Sequence, residues 1–160
     1  MRESLFNILI HAYDDPVQDA RVLDLFAGTG ALGIEAISRG AAYCLFVEDH
    51  ADARGLIRDN VEAFGLTGVT RIFRRDATDL GRANARDSGF NLVFCDPPYG
   101  RGLGERALCA AIAGGWLADG AVVALEEREG TDIALPAGLS EIDRRSWGGT
   151  QVVLCRYAAV

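Results

Sequence analysis

Residues 21-RVLDLFAGTGALGIEAISRG-40 hold the pattern that decides the architecture. RVLDLF is a short apolar run of strand type, and GALGIEAISRG is helical and closed by Gly40. Between them Gly28, Gly30 and Gly33 match G-x-G-x-x-G, and Glu48 stands 20 residues beyond Gly28. A strand, a tight glycine turn and a helix in that order form the first half of a βαβ unit.

The same alternation continues along the chain. An amphipathic helix is expected over 2–13, where Leu5, Phe6, Leu9, Ala12 and Tyr13 share a face. YCLFVE reads as a second strand, followed by a helix within 49–65, and VTRIFRRD as a third. TDLGRANARDSG (78–89) is expected to form a short helix. FNLVFCD is the fourth strand, ERALCAAIAGGWL a helix and AVVALEE the fifth strand. LSEIDRRSW and TQVVLCRYA are joined by a Gly-Gly turn, so they should pair antiparallel. The fold class is therefore α/β, a doubly wound, Rossmann-like sheet with an antiparallel hairpin at its C-terminal edge. Ligands of such sheets lie at the carboxyl ends of the strands, near the point where strand order reverses.

Bulk properties set the frame. With 160 residues, 49% hydrophobic and 24% charged, the chain suits one globular domain. No apolar run reaches ~18 residues and the N-terminus does not read as a signal peptide, so no membrane association and a cytoplasmic location are expected. Cys44, Cys95, Cys109 and Cys155 form no CxxC, and His11 and His50 lack ligand spacing; reduced, buried thiols and no metal follow. Net charge is −7, and all 16 basic residues are arginine. An acidic chain does not advertise a polyanion partner unless its arginines cluster.

The glycine loop suits a nucleoside-bearing cofactor, and its spacing fits NAD and S-adenosylmethionine alike. Asp24 bears on the choice. A carboxylate beside the loop would repel a pyrophosphate but favour the ammonium and sulfonium of S-adenosylmethionine. Asp76, in RRDAT after the third strand, is placed to accept a hydrogen bond from an adenine amine, with the Ala77 backbone reading the ring edge; it could equally be a cap.

After the fourth strand stands Asp96-Pro97-Pro98-Tyr99. Alone, this is either a stiff turn or a clamp. As a clamp, the Asp96 carboxylate and the Pro97 carbonyl would accept from a planar exocyclic amine and turn its lone pair toward a methyl group. The prolines would hold that carbonyl still, and Tyr99 would stack on the base.

DLFAGTGALGIEAISRGA, FVE and DPPY, preceded by RESLFNIL, resemble the class I methyltransferases that modify guanine N2 in 16S ribosomal RNA. The likeness runs through nearly the whole chain in the same order. It implies a seven-stranded sheet. It implies that Asp24, Phe26, Ala27, Gly28, Thr29 and Gly30 surround the methionine part of S-adenosylmethionine. Glu48 would take the ribose, Asp76 and Ala77 the adenine, and Asp96, Pro97, Pro98 and Tyr99 the target guanine. The partner implied is small-subunit rRNA or the assembling subunit, met by a monomer. That family carries a basic segment with a short hairpin before the RESLFNIL helix, and this chain begins at the helix. The segment is expected to be missing, along with much of the positive surface. Arg101 beside the clamp, with Arg74 and Arg75, are the leading candidates for phosphate contacts; Arg71, Arg82, Arg86, Arg106, Arg144 and Arg145 are the others. An adenine-N6 or small-molecule methyltransferase, and an NAD-binding oxidoreductase, are the competing readings.

Overall fold

The computed structural model describes residues 2–159. Helix α1 (Arg2–Ala12) leads into β1 (Arg21–Leu25), α2 (Ala31–Ser38), β2 (Tyr43–Val47), α3 (Ala51–Ala63) and β3 (Thr70–Phe73). Then come β4 (Phe90–Cys95), α4 (Leu103–Ala113), β5 (Leu117–Arg128), β6 (Leu139–Trp147) and β7 (Thr150–Tyr157). They build one seven-stranded sheet in the order β3-β2-β1-β4-β5-β7-β6. The five strands from β3 to β5 run parallel, and β7 lies antiparallel between β5 and β6. The order reverses between β1 and β4, which are direct neighbours. The expected architecture is thus observed, hairpin included.

Strand pleating divides the core in two. Val22, Cys44, Phe46, Leu92, Phe94 and Val122 face the layer of α1, α2 and α3. Leu23, Leu25, Leu45, Val93 and Val123 face α4 and the chain leading into β4. Helix α1 seats Phe6 on Phe94, ring centroids 5.4 Å apart. Because both faces are covered, the inner strands can be apolar throughout, as in other parallel sheets.

The helix expected at 78–89 does not form; the segment is turn and extended chain. Its backbone groups are satisfied by distant partners instead. Trp116 Nε1 donates to the Gly81 carbonyl at 2.9 Å, and Ala83 N–H donates to the Gly114 carbonyl at 2.9 Å. Gly81 adopts φ +70°. Asn84 Oδ1 accepts from the N–H groups of Arg86 and Asp87, an Asx turn that competes with helix. Leu80 is buried in the core, and Trp116 stacks between Phe73 and Phe90. Trp147 packs at the edge of the other core, so both tryptophans serve packing. Of the cysteines, Cys44, Cys95 and Cys155 are buried, whereas Cys109 is exposed on α4, a correction to the expectation that all four lie inside. Among the described residues no disulfide, no metal-competent cluster and no helix long and apolar enough to cross a membrane is found.

Candidate active site at the strand ends

Residues 26–30 form a turn that few sequences could adopt. Phe26, Gly28 and Gly30 all have positive φ, at 56°, 60° and 81°. For a non-glycine residue such as Phe26 this costs on the order of 1–2 kcal/mol. Ala27 N–H donates to the Val47 carbonyl at 3.1 Å, tying the loop to β2, and Asn60 Nδ2 donates to the Thr29 carbonyl at 3.1 Å, tying it to α3. A methyl group on Gly28 would meet nothing within 4 Å, so the loop backbone faces open space there.

Two carboxylates bond to this region. Asp24, 1% exposed, accepts from Gly33 N–H at 3.1 Å. It caps the first turn of α2, whose own N-cap, Gly30, offers no side chain. Glu48 Oε1 accepts from Gly28 N–H at 2.8 Å, and its Oε2 from His50 N–H at 3.0 Å. Burial holds the Asp24 carboxyl well above the ordinary carboxylate range; the Gly33 bond opposes this, and the charges of Asp96 and Glu48 add to it.

At the end of β3, Asp76 Oδ1 accepts from the Thr78 N–H and hydroxyl at 2.8 and 2.7 Å, the latter bond first among the causes that lower its proton affinity. Asp76 therefore caps a turn, not a helix. It is exposed, while Ala77 beside it is buried in the core.

The segment after β4 is held from β5 and β7. Tyr99 Oη donates to Glu126 Oε1 at 2.6 Å and lies 3.2 Å from Thr150 Oγ1. Gly100 N–H donates to Glu127 Oε1 at 2.9 Å. Pro97 is buried against the start of α4, where a Cβ on Gly104 would stand 2.6 Å from Leu125 Cδ1 and 3.2 Å from Pro97 Cγ, so this glycine lets the helix pack closely there. Pro98 is exposed. Asp96 is exposed at the rim, although its carboxyl is partly desolvated; that desolvation, then the charge and hydrogen bonding of Glu126, push it up to about 7. Burial, then the hydrogen bond to Glu126, pushes Tyr99 up to about 12.

Glu126, Glu127 and Thr150 were not among the residues picked out from the sequence. The signal for the glutamates was available: acids at the ends of the preceding strands were read, and EE closes the fifth in the same way. Thr150 needed the topology, because β7 reaches β5 only by antiparallel return.

The arginines separate into tied and free. Arg71 pairs with Asp87, Arg144 with Glu141 and Arg145 with Asp143. Arg75 is held by Asp79, with Nε donating to its carbonyl at 2.6 Å. Arg74 and Arg101 are exposed and form no ion pair among the described residues. A surface groove of about 530 Å³ lined by Ala31, Ile34, Ile37, Phe64 and Leu66 lies in the helical layer. Its lining includes Asn60, which bonds the loop at Thr29, but none of the acids at the strand ends.

A doubly wound sheet of this order, closed by an antiparallel pair, is the class I methyltransferase fold. The family described as Conserved hypothetical protein 95 matches residues 1–156, and the chain belongs to it. Ribosomal RNA small subunit methyltransferase D of Escherichia coli strain K12 is 38% identical over 127 residues, which cover 79% of this chain and 60% of that protein. YlbH of Bacillus subtilis strain 168 is 41% identical over 100 residues, covering 62% of this chain and 52% of that protein. The chain thus spans between half and three-fifths of these relatives. Among solved structures, YhhF of Escherichia coli superposes with a TM-score of 0.83 at 32% identity, over 99% of this chain and 84% of that one.

Proposed function

We infer that the chain carries an S-adenosylmethionine-dependent methyltransferase acting on the exocyclic N2 amine of a guanine in small-subunit rRNA. The observation that carries the cofactor choice is the use already made of the loop's donors. A pyrophosphate would need the backbone N–H groups at the turn and at the start of α2. Here Gly28 N–H is bonded to Glu48 and Gly33 N–H to Asp24. With Asp96 and Glu126 close by, the strand ends gather acidic groups that pair with no arginine among the described residues. That field suits a cation and disfavours NAD.

S-adenosylmethionine, when bound, supplies a methyl group activated on a sulfonium. The chain's residues do the remaining work. Glu48 keeps lone pairs free for ribose hydroxyls, and Asp76 keeps Oδ2 free for an adenine amine. Asp96 and the Pro97 carbonyl accept from the guanine amine, and the Tyr99 ring, fixed through its hydroxyl, supports the base. Arg101 and Arg74 reach for RNA phosphates from the same rim; Arg75 would have to leave Asp79 to join them.

The test is methyl transfer to naked small-subunit RNA and to assembled small subunits, with the modified nucleoside located by mass spectrometry. N2-methylguanosine is expected from wild type and none from Asp96→Ala. Methyl found only on adenine N6, or full activity in Asp96→Ala, refutes the reading. Calorimetry with S-adenosylhomocysteine and NAD tests the cofactor by itself.

A further inference from the structure

Two side chains of α3 have no ligand to touch in the reading above, yet both hold the backbone on which Glu48 and the glycine loop stand. The helix is seated on the sheet by Ile57 and Val61, which are buried. Near its C-terminal end, Asn60 Nδ2 donates to the Thr29 carbonyl at 3.1 Å. From its first turn, Arg54 Nη1 donates to the Asp49 carbonyl at 2.6 Å and reaches the Glu48 carbonyl at 3.4 Å. Between these anchors Glu48 Oε1 accepts from Gly28 N–H at 2.8 Å. The bonds close a circuit that runs from α3 through Arg54 to Glu48, across to Gly28 and Thr29, and back through Asn60. Among the described residues, no other side chain from outside the two segments bonds to their backbone.

We propose that Asn60 and Arg54 are positioning residues for the cofactor. Acting through the backbone, they set the distance between the glycine loop and the Glu48 carboxyl, and so the place where a ribose is held. The proposal rests on the S-adenosylmethionine reading for its ligand, but the brace is a property of the protein alone. Glu48 gives one lone pair to Gly28 and one to His50. Its remaining lone pairs are aimed at a ligand only as accurately as the two segments are held. An acceptor displaced by about 1 Å loses its hydrogen bond.

The direction of each bond fits this assignment. Asn60 lines the groove of the helical layer, which none of the strand-end acids lines, whereas a methyl group on Gly28 would enter open space. Asn60 therefore grips the loop without occupying the space left for a ligand. It also steadies a turn whose positive φ at Phe26 is unfavourable by itself. Arg54 forms no ion pair among the described residues, and its guanidinium bonds carbonyls instead of the Glu48 carboxyl. The acid is thus steadied by a cation that leaves its oxygen atoms available.

The deciding experiment pairs calorimetry with S-adenosylhomocysteine and NMR hydrogen exchange of the ligand-free protein. Asn60→Ala and Arg54→Ala should each weaken binding by about three- to tenfold. Because either cut opens the same circuit, the double variant should lose less than the product of the two single losses. Arg54→Lys, which keeps a cationic donor, should recover most of the affinity. Asn60→Asp, which sets an oxygen against the Thr29 carbonyl, should bind more weakly than Asn60→Ala. Without ligand, the Gly28 amide should exchange about three- to tenfold faster in each alanine variant, with the β4 amides unmoved. In methyl-transfer assays KM for S-adenosylmethionine should rise while KM for RNA stays. Wild-type affinity in both alanine variants, full multiplicativity in the double variant, or an unmoved Gly28 amide overturns the proposal. Should an alanine variant fail to fold, Arg54→Lys and Asn60→Asp carry the same comparison. A wild-type protein that does not bind S-adenosylhomocysteine refutes the cofactor reading and with it the ligand named here, and Gly28 exchange reports the brace separately.

Discussion

Gly33→Ala puts two physical terms of opposite sign in direct competition. Gly33 lies in the first turn of α2 with ordinary helical backbone, where alanine should stabilise by about 1 kcal/mol through helix propensity. A methyl group there would, however, stand 2.5 Å from Cys44 Sγ and 2.5 Å from Cε1 of Phe46. Both neighbours are 0% exposed, so neither can swing into solvent. Overpacking of a core commonly costs about 1–3 kcal/mol. With two unyielding contacts the upper half of that range applies, leaving a net loss of about 1–2 kcal/mol. At this chain length that lowers Tm by roughly 2–8 °C. Thermal and urea unfolding of wild type, Gly33→Ala, Phe46→Leu and the double variant would measure it. Relief of the clash should make the double variant more stable than the sum of the singles predicts, by about 0.5–1 kcal/mol. A Gly33→Ala protein more stable than wild type would refute the claim that helix and sheet touch through this glycine.

Gly28→Ala should act on binding instead: its methyl meets no protein atom, but φ +60° disfavours it by about 1 kcal/mol and it projects from the loop, so S-adenosylhomocysteine affinity by calorimetry should fall at least about tenfold. Asp24→Asn should raise stability at neutral pH by about 1–2 kcal/mol while weakening cofactor binding, because it removes a buried carboxylate yet keeps an acceptor for Gly33 N–H. The folded wild type holds the Asp24 proton at pH values where the unfolded chain has released it, so stability falls as pH rises above about 4 toward neutrality; unfolding midpoints across that window should slope less in the Asn variant. Glu127→Ala strips Gly100 N–H and Arg128 N–H of their acceptor and should cost about 2–4 kcal/mol in urea unfolding, with Glu127→Gln recovering most of it. Trp116→Phe keeps the stacking but leaves the Gly81 carbonyl unpaired, for a loss of about 1–2 kcal/mol in thermal unfolding.

What the sequence made legible was local in origin. The loop 24–33 and the segment 96–99 are short, and their spacing carries their geometry: positive φ at the glycines and an acid where each strand stops. The antiparallel hairpin was equally plain, because Gly148 and Gly149 join two strand-like runs. The segment 78–89 misled because its composition permits a helix, while its backbone is claimed by Trp116 and Gly114, about 30 residues away in the chain. A Cβ on Gly114 would stand 2.1 Å from the Gly81 carbonyl oxygen, so the close approach needs a glycine at a position remote in the sequence. The arginines misled for the same reason: Arg71 looks free until β2, β3 and the Asp87 turn are brought together.

The site is costly to the fold, and the way that cost is met says what the site is for. Acids at the ends of β1, β2, β4 and β5 converge without an arginine partner among the described residues, although the chain has 16 arginines available to evolution for that purpose. Pairing them would stabilise the protein, as Arg71 does for the buried Asp87. Instead Asp24, Glu48 and Glu127 are held by backbone N–H groups, and Glu126 by the Tyr99 hydroxyl. Those bonds fix each acid in place without supplying a counter-charge. A protein that orients acids but withholds their counter-charge leaves a negative potential to be satisfied from outside, and the cationic methyl donor proposed above is a ligand whose charge would satisfy it.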